Sequence, residues 1–156
     1  MTQFYAYLRK FREAYDGAME PLSVELSMAQ TAVELLLFLA NNPETNTARD
    51  ICFYLHLKPG IVSFHVENLV RDGFLERRPV PEDRRKWRLV PTEKAEPVVQ
   101  RGRALQADFC DRMNRGLSEQ ELNLCSHCFT VFEQNLSDMA KQQSNQAKKE
   151  SHNGTR

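Results

Sequence analysis

The 156-residue chain has no excess of either charge: 21 Lys+Arg balance 21 Asp+Glu. Net charge therefore points to no particular partner, and only the distribution of charge can. It has no apolar run long enough to span a bilayer. The longest, Ala32 to Ala40, is broken by Glu34 and falls far short of the about 20 residues a spanning helix needs. The opening MTQFYAYLRKFRE mixes aromatics and charges where a signal peptide needs an apolar block. The expectation is a soluble cytoplasmic protein with no membrane partner. Four cysteines do not make a disulfide framework in that compartment. No G-x-x-x-x-G-K-[ST], G-x-G-x-x-G or H-E-x-x-H motif occurs, and no Ser/His/Asp arrangement can be placed. An enzyme reading is therefore unsupported, and no cofactor or metal is expected. What remains is a chain of globular composition, 41% hydrophobic and 27% charged.

Glycine (6) and proline (7) are scarce, so each one punctuates. Phe4, Leu8, Phe11 and Tyr15 recur at helical spacing, with Gly17 and Pro21 closing the segment. Ser27-Met28-Ala29-Gln30 has the S-x-x-Q form of a capping box, ahead of a helix to about Asn41 that is apolar nearly all round. Thr47 to Asp50 reads as another helix start. Lys58-Pro59-Gly60 is a turn, and Ile61, Val62, Val66, Leu69 and Val70 then predict a helix ending at Asp72-Gly73. After Gly73 the period changes. Phe74 to Arg78 and Lys86 to Val90 favour strands, and Pro79 to Arg85 forms a charged turn between them. Thr92 predicts the N-cap of a helix to about Asn114, with a kink or a start near Pro97. Ser118 to Glu121 is a capping box opening a helix with Leu122, Cys125, Phe129, Phe132 and Leu136 on one face. From about Gln142 apolar residues run out, and disorder is expected.

Two short helices joined by a tight turn have the size of a helix-turn-helix, whose second helix can enter a DNA major groove. Arg71 to Arg88 holds seven basic and four acidic residues, a local +3 in a neutral chain. Phosphate neutralisation needs such an excess, although a solvated surface hairpin carries similar charge. The end helices carry apolar stripes that would bury one another across a two-fold axis, which predicts a homodimer.

The run KPGIVSFHVENLVRDGFLERRPVPEDRRKWRLVPTEKA resembles the MarR family of winged-helix transcriptional regulators. Gly73-Phe74-Leu75 sits at the hand-over from recognition helix to wing. Asp83-Arg84-Arg85 matches the family's Asp-x-Arg wing signature, and Thr92 matches the Thr that follows it. Phe64 stands where the family frequently has Arg, and Pro91 and Ala95 stand where it has Leu and Gly. The resemblance implies a mainly α fold with a small β wing. A winged helix-turn-helix domain (residues 25–95) would be flanked by dimerisation helices (1–24 and 96–141) and a disordered tail (142–156). It implies that Lys58, Pro59, Gly60, Ser63, Phe64 and Asn68 face the major groove. Arg85 would approach the minor groove, Asp83 would shape the wing, and Arg84 and Lys86 would attract phosphate. For His65, packing at the edge of the core is the favoured reading.

The expected function is a homodimeric repressor on a pseudo-palindromic operator in double-stranded DNA, released by a small-molecule effector or an oxidant. The alternative is a winged-helix protein-interaction module without specific DNA binding, for which Phe64 would suit an apolar interface. Cys125 and Cys128 share a helix face and are candidate thiol sensors, as in some MarR-like proteins. Core packing of Cys125 with Phe129 and Phe132 is the plainer reading. Zinc needs about four ligands, and this C-x-x-C supplies two. Phe38, Phe53 and Phe109 either line an effector cavity or fill the core, and the core is favoured.

Overall fold

A helix that is apolar on nearly every side has to be surrounded. In the computed structural model α2 (Gln30–Asn41) is: Ala32, Val33, Leu35, Leu36, Leu37 and Leu39 are all buried. The structure describes the backbone of residues 2–80 and 83–153 and the side chains of residues 2–80 and 86–142. Around α2 the described residues form α1 (Thr2–Glu25), α3 (Ala48–Tyr54), α4 (Pro59–Arg71) and the antiparallel strands β1 (Leu75–Val80) and β2 (Asp83–Pro91). A 3-10 turn (Glu93–Ala95), α5 (Glu96–Met113) and α6 (Glu119–Asn153) complete the order. The chain divides into two units after Arg112, each described by itself below.

In the first unit α2 serves two cores. Its Leu35, Leu36 and Leu39 join Ile51 of α3, Val62, Val66 and Leu69 of α4, Leu75 and Leu89 of the strands, and Val98 and Val99 of α5. That core thus extends past residue 95 into α5. On the other side Val33 and Leu37 meet Met19 and Leu22 of α1. Arg12 of α1 adds a bidentate pair to Glu34 of α2, at 2.8 and 3.0 Å.

Several expectations need correction. Gly17 and Pro21 do not close the first helix, since α1 runs through both to Glu25. Pro inside a helix costs about 3 kcal/mol. Met19 and Leu22 beside it are buried, and full burial of such side chains contributes about 1.5–3 kcal/mol each. The S-x-x-Q box does not form. Ser27 takes a left-handed φ of 49° in the turn after α1, and the N-cap of α2 is Ala29, with no side-chain cap bond. Gln30 instead donates to the backbone carbonyl of Asp16 at 3.1 Å, tying α2 to α1. Thr92 does not cap α5, because the 3-10 turn intervenes. Pro97 falls in the first turn of α5, where its missing N–H costs nothing. Of the three candidate cavity aromatics, Phe109 is buried edge-to-face against Phe11 and Tyr15, with centroids 5.5 and 5.4 Å apart. Phe38 is half-buried against Tyr54, whereas Phe53 is 70% exposed and fills no core.

The second unit is α6. Its capping box forms as predicted: Ser118 N–H donates to Glu121 Oε2 at 2.8 Å, and Glu121 N–H donates to Ser118 Oγ at 3.3 Å. The Ser118 hydroxyl, donating to Glu121 Oε2 at 2.7 Å, and then the Ser118 N–H hold the Glu121 carboxyl below its ordinary pKa, so it is ionised at neutral pH. The stripe behind it is open to water, with Phe129 62% exposed and Phe132 and Leu136 similar. Cys125 is exposed, so it is not packed into a core with Phe129 and Phe132 on its own helix, and Cys128 is half-buried. The helical backbone continues to Asn153, past the expected start of disorder at 142. That segment has no Gly or Pro before Gly154, and its Gln, Ala, Lys and Glu are good helix formers.

Where α5 crosses α2 only glycine fits. A Cβ on Gly102 would lie 2.4 and 2.7 Å from the two methyl carbons of Leu37, a side chain locked in the α1–α2 core. Gly102→Ala should cost about 1–3 kcal/mol in overpacking, offset by about 1 kcal/mol of helix propensity. Urea unfolding should show a net loss in the native chain. In a Leu37→Ala background the same substitution should become neutral or stabilising.

Candidate nucleic-acid interface

The helix pair α3–α4 is built by local chemistry. Thr47 Oγ1 accepts from Asp50 N–H at 3.3 Å, and an Asp50 carboxylate oxygen accepts from Thr47 N–H at 2.9 Å, a closed capping box. Pro59 opens α4 with its φ already set. At the far end Gly73 takes φ 78°. Its N–H bonds the Val70 carbonyl and Phe74 N–H bonds the Leu69 carbonyl, the Schellman pattern. Lys94 Nζ donates to the Asp72 carbonyl at 2.7 Å, a cation at a helix C-terminus.

The hairpin leaves that turn directly. Leu75 pairs with Pro91, Arg77 with Leu89 and Pro79 with Trp87. One face therefore carries Leu75, Arg77, Trp87 and Leu89, and the other carries Arg78 and Arg88. Two bonds fix its base. Leu89 N–H donates to the Asn46 carbonyl at 2.8 Å, and Thr92 Oγ1 donates to the Gly73 carbonyl at 2.6 Å. Thr92 thus pins the strand end to the α4 turn.

Between α3, α4 and the inner face of the hairpin runs a groove of about 580 Å³. Arg49, Arg77 and Lys86 line it with Cys52, Ser63 and Trp87, and among the described residues no acidic one is in its lining. Of the sequence-predicted residues, Pro59, Ser63 and Lys86 meet at this groove. Lys58 is the exposed N-cap of α4, and Gly60 is exposed in its first turn. Phe64 is exposed and the half-buried Asn68 follows it, on the flank of α4 away from the groove. The side chains of Asp83, Arg84 and Arg85 lie outside the described residues. Among the described residues no cluster of three His, Cys, Asp or Glu could hold a metal. No single helix there is long and apolar enough to cross a membrane.

His65 is half-buried beside Phe64, ring centroids 5.2 Å apart at 76°. Burial lowers its pKa below the ordinary 6.5, so the ring is neutral at pH 7. Sequence reasoning missed Arg49, Arg77 and Trp87. Alternation would have found Arg77, since it shares the parity of the buried Leu75. Arg49 carried no signal beyond its place in the first turn of α3.

Residues 26–86 match the model of the MarR family. Solved structures share this chain's fold well beyond the matched MarR segment. One is the transcriptional regulator PA3341, 24% identical over 86% of this chain and 98% of that one, with a TM-score of 0.73. A second, provisionally named a MarR family regulator of Listeria monocytogenes and solved with a 26mer DNA, is 17% identical over 88% and 89%, with a TM-score of 0.71. A third, the S. aureus MepR–DNA complex, is 19% identical over 85% and 96%, with a TM-score of 0.63. At these identities the likeness is one of fold: mainly α, with a two-stranded wing following the second helix of a helix-turn-helix.

Replacing Thr92 by Val keeps its shape and removes the bond to Gly73. Loss of one such bond costs about 1 kcal/mol, with more if the carbonyl stays unsatisfied. Denaturant unfolding of Thr92→Val should show that loss. An unchanged midpoint would mean that water replaces the hydroxyl and that the strand pairing and the Leu89–Asn46 bond hold the wing without it.

Proposed function

We propose that this chain is a DNA-binding transcriptional regulator, a cytoplasmic repressor that grips a pseudo-palindromic operator as a homodimer and is released by a small ligand or an oxidant. The observation that carries the reading is the cationic groove. A chain of zero net charge gathers Arg49, Arg77 and Lys86 beside α4, with no acid among the described residues of the lining. Local cation excess of this kind is what phosphate contacts use. Two proteins of the same fold have been solved with DNA.

In this reading α4 enters the major groove with Gly60, Ser63, Phe64 and Asn68, and Lys58 meets the phosphates at its start. Arg84, Arg85 and Lys86 belong to the wing, with Arg85 at the minor groove, where a narrow A·T tract attracts arginine. Asp83 holds the wing's shape. The apolar faces of α1, with Phe4 and Leu8, and of α6, with Phe129 and Leu136, are open to water in a single copy. A second copy would bury them and set two readers one helical turn apart. An effector acts by binding one spacing of the readers more tightly than the other. An oxidant would act at Cys125 and Cys128.

The competing reading is a protein-interaction module, favoured by the exposed rings of Phe53 and Phe64. Salt separates the two, because binding through several phosphates weakens steeply with added salt and an apolar contact does not. A duplex selected from random sequence at two salt concentrations, measured by gel shift, decides between them.

Arg85→Ala should weaken binding to the selected duplex and lower the slope of log affinity against log salt by about 1. An unchanged slope removes Arg85 from the phosphate or groove contacts. Light scattering at micromolar concentration should give twice the chain mass of 18.1 kDa. A value near 18.1 kDa refutes the dimer.

A further inference from the structure

The exposed surface of α4 is unusual for a helix that reads bases. Between Pro59 and Val70 it carries no Lys or Arg. The first cation, Arg71, is engaged by Asp72 at 3.0 Å. Ile61, Phe64 and Asn68 lie three and four residues apart, along one stripe of the helix. Phe64 is 60% exposed and Ile61 45%, while Asn68 is half-buried. The ring of Phe64 is braced edge-to-face by His65, so it meets a partner without a large loss of side-chain freedom.

Base chemistry decides what such a stripe accepts. Guanine offers two acceptors, N7 and O6, to the major groove and is matched by Arg or Lys. Against Ile61 and Phe64 those acceptors would be desolvated without donors, an unfavourable exchange. The apolar group among the four natural base edges in that groove is the 5-methyl of thymine. The amide of Asn68 can pair with adenine N6 and N7. We propose that the Ile61–Phe64–Asn68 stripe selects thymine 5-methyl groups, so that the core of each half-site is A·T and is read by methyl contact more than by charged hydrogen bonds. The proposal rests on the DNA-binding reading above and names the sequence class that reading left open. It extends to 5-methylcytosine, which carries its methyl at the same ring position.

The test uses the full chain and a duplex selected from random sequence. Each thymine is replaced singly by deoxyuridine, which keeps every hydrogen-bonding edge and removes only the methyl. Dissociation constants come from fluorescence anisotropy. One or two positions in each half-site should weaken binding about fourfold, the value of about 0.8 kcal/mol for a buried methyl-sized group. At those positions Phe64→Ala should bind the thymine and uracil duplexes equally. Phe64 is exposed, so the variant should keep its fold, checked by circular dichroism. Sequence-specific binding with no uracil-sensitive position overturns the methyl proposal and leaves the DNA reading standing. So does a uracil penalty that survives in both Phe64→Ala and Ile61→Ala. Failure to bind any duplex above the non-specific level overturns both.

Discussion

Everything in the first unit depends on α2 having two apolar sides. A helix with one apolar stripe can sit at the edge of a domain, but one buried over most of its circumference needs partners all round. Leu35, Leu36 and Leu39 supply the floor on which α3, α4 and the hairpin rest, while Val33 and Leu37 hold α1. The position of α4 relative to the wing is therefore a packing outcome. Charges decorate a frame that hydrophobic burial has already set. The frame is also tight: Leu37 fills the place a side chain on Gly102 would need, so α5 is pressed directly against the helix beneath it.

The order of elements was legible because it is written in local signals that packing did not oppose. Thr47/Asp50 and Ser118/Glu121 both close as capping boxes, and Gly73 takes the left-handed turn its place after α4 demands. Three of the failures share one cause, tertiary contacts overriding a local preference. Gly17 and Pro21 look like a stop, but Met19 and Leu22 between and beyond them have a core to enter. Ser27 and Gln30 have the right spacing for a cap, but Gln30 finds Asp16 on the neighbouring helix. Thr92 is a good cap residue, but its hydroxyl donates to the Gly73 carbonyl instead of accepting from a helix N–H. None of these partners is near in sequence, except through the fold.

The candidate interface was half legible. Charge counting found the basic stretch, and the match of residues 26–86 to the MarR family agrees with where it was placed. Counting could not sort the arginines by face. The pairing register does: Arg77 lies opposite Leu89 and reaches the groove beside α4, while Arg78 lies opposite Arg88 on the other face, near Pro43 and Arg103. Arg49 reaches the same groove from α3, 37 residues before the Lys86 that it joins, and no linear pattern connects the two.

These placements separate two tasks that a base-reading helix often combines. The cations beside the groove stand on α3 and on the hairpin, whereas α4 between them presents Ser63, Phe64 and Ile61. On the proposed reading, attraction to the backbone and discrimination among bases reside in different elements. Phosphate contacts carry no sequence information and weaken with salt, while contacts to base edges carry it and are far less sensitive to salt. An arginine on α4 would serve both ends, adding affinity for every duplex along with preference for guanine. A phenylalanine there adds nothing to non-specific attraction, so its contribution appears only when the fitting base lies beneath it. On that reading α4 would give up strength on random DNA and keep its discrimination, provided that the wing and α3 supply enough charge to hold the duplex in place.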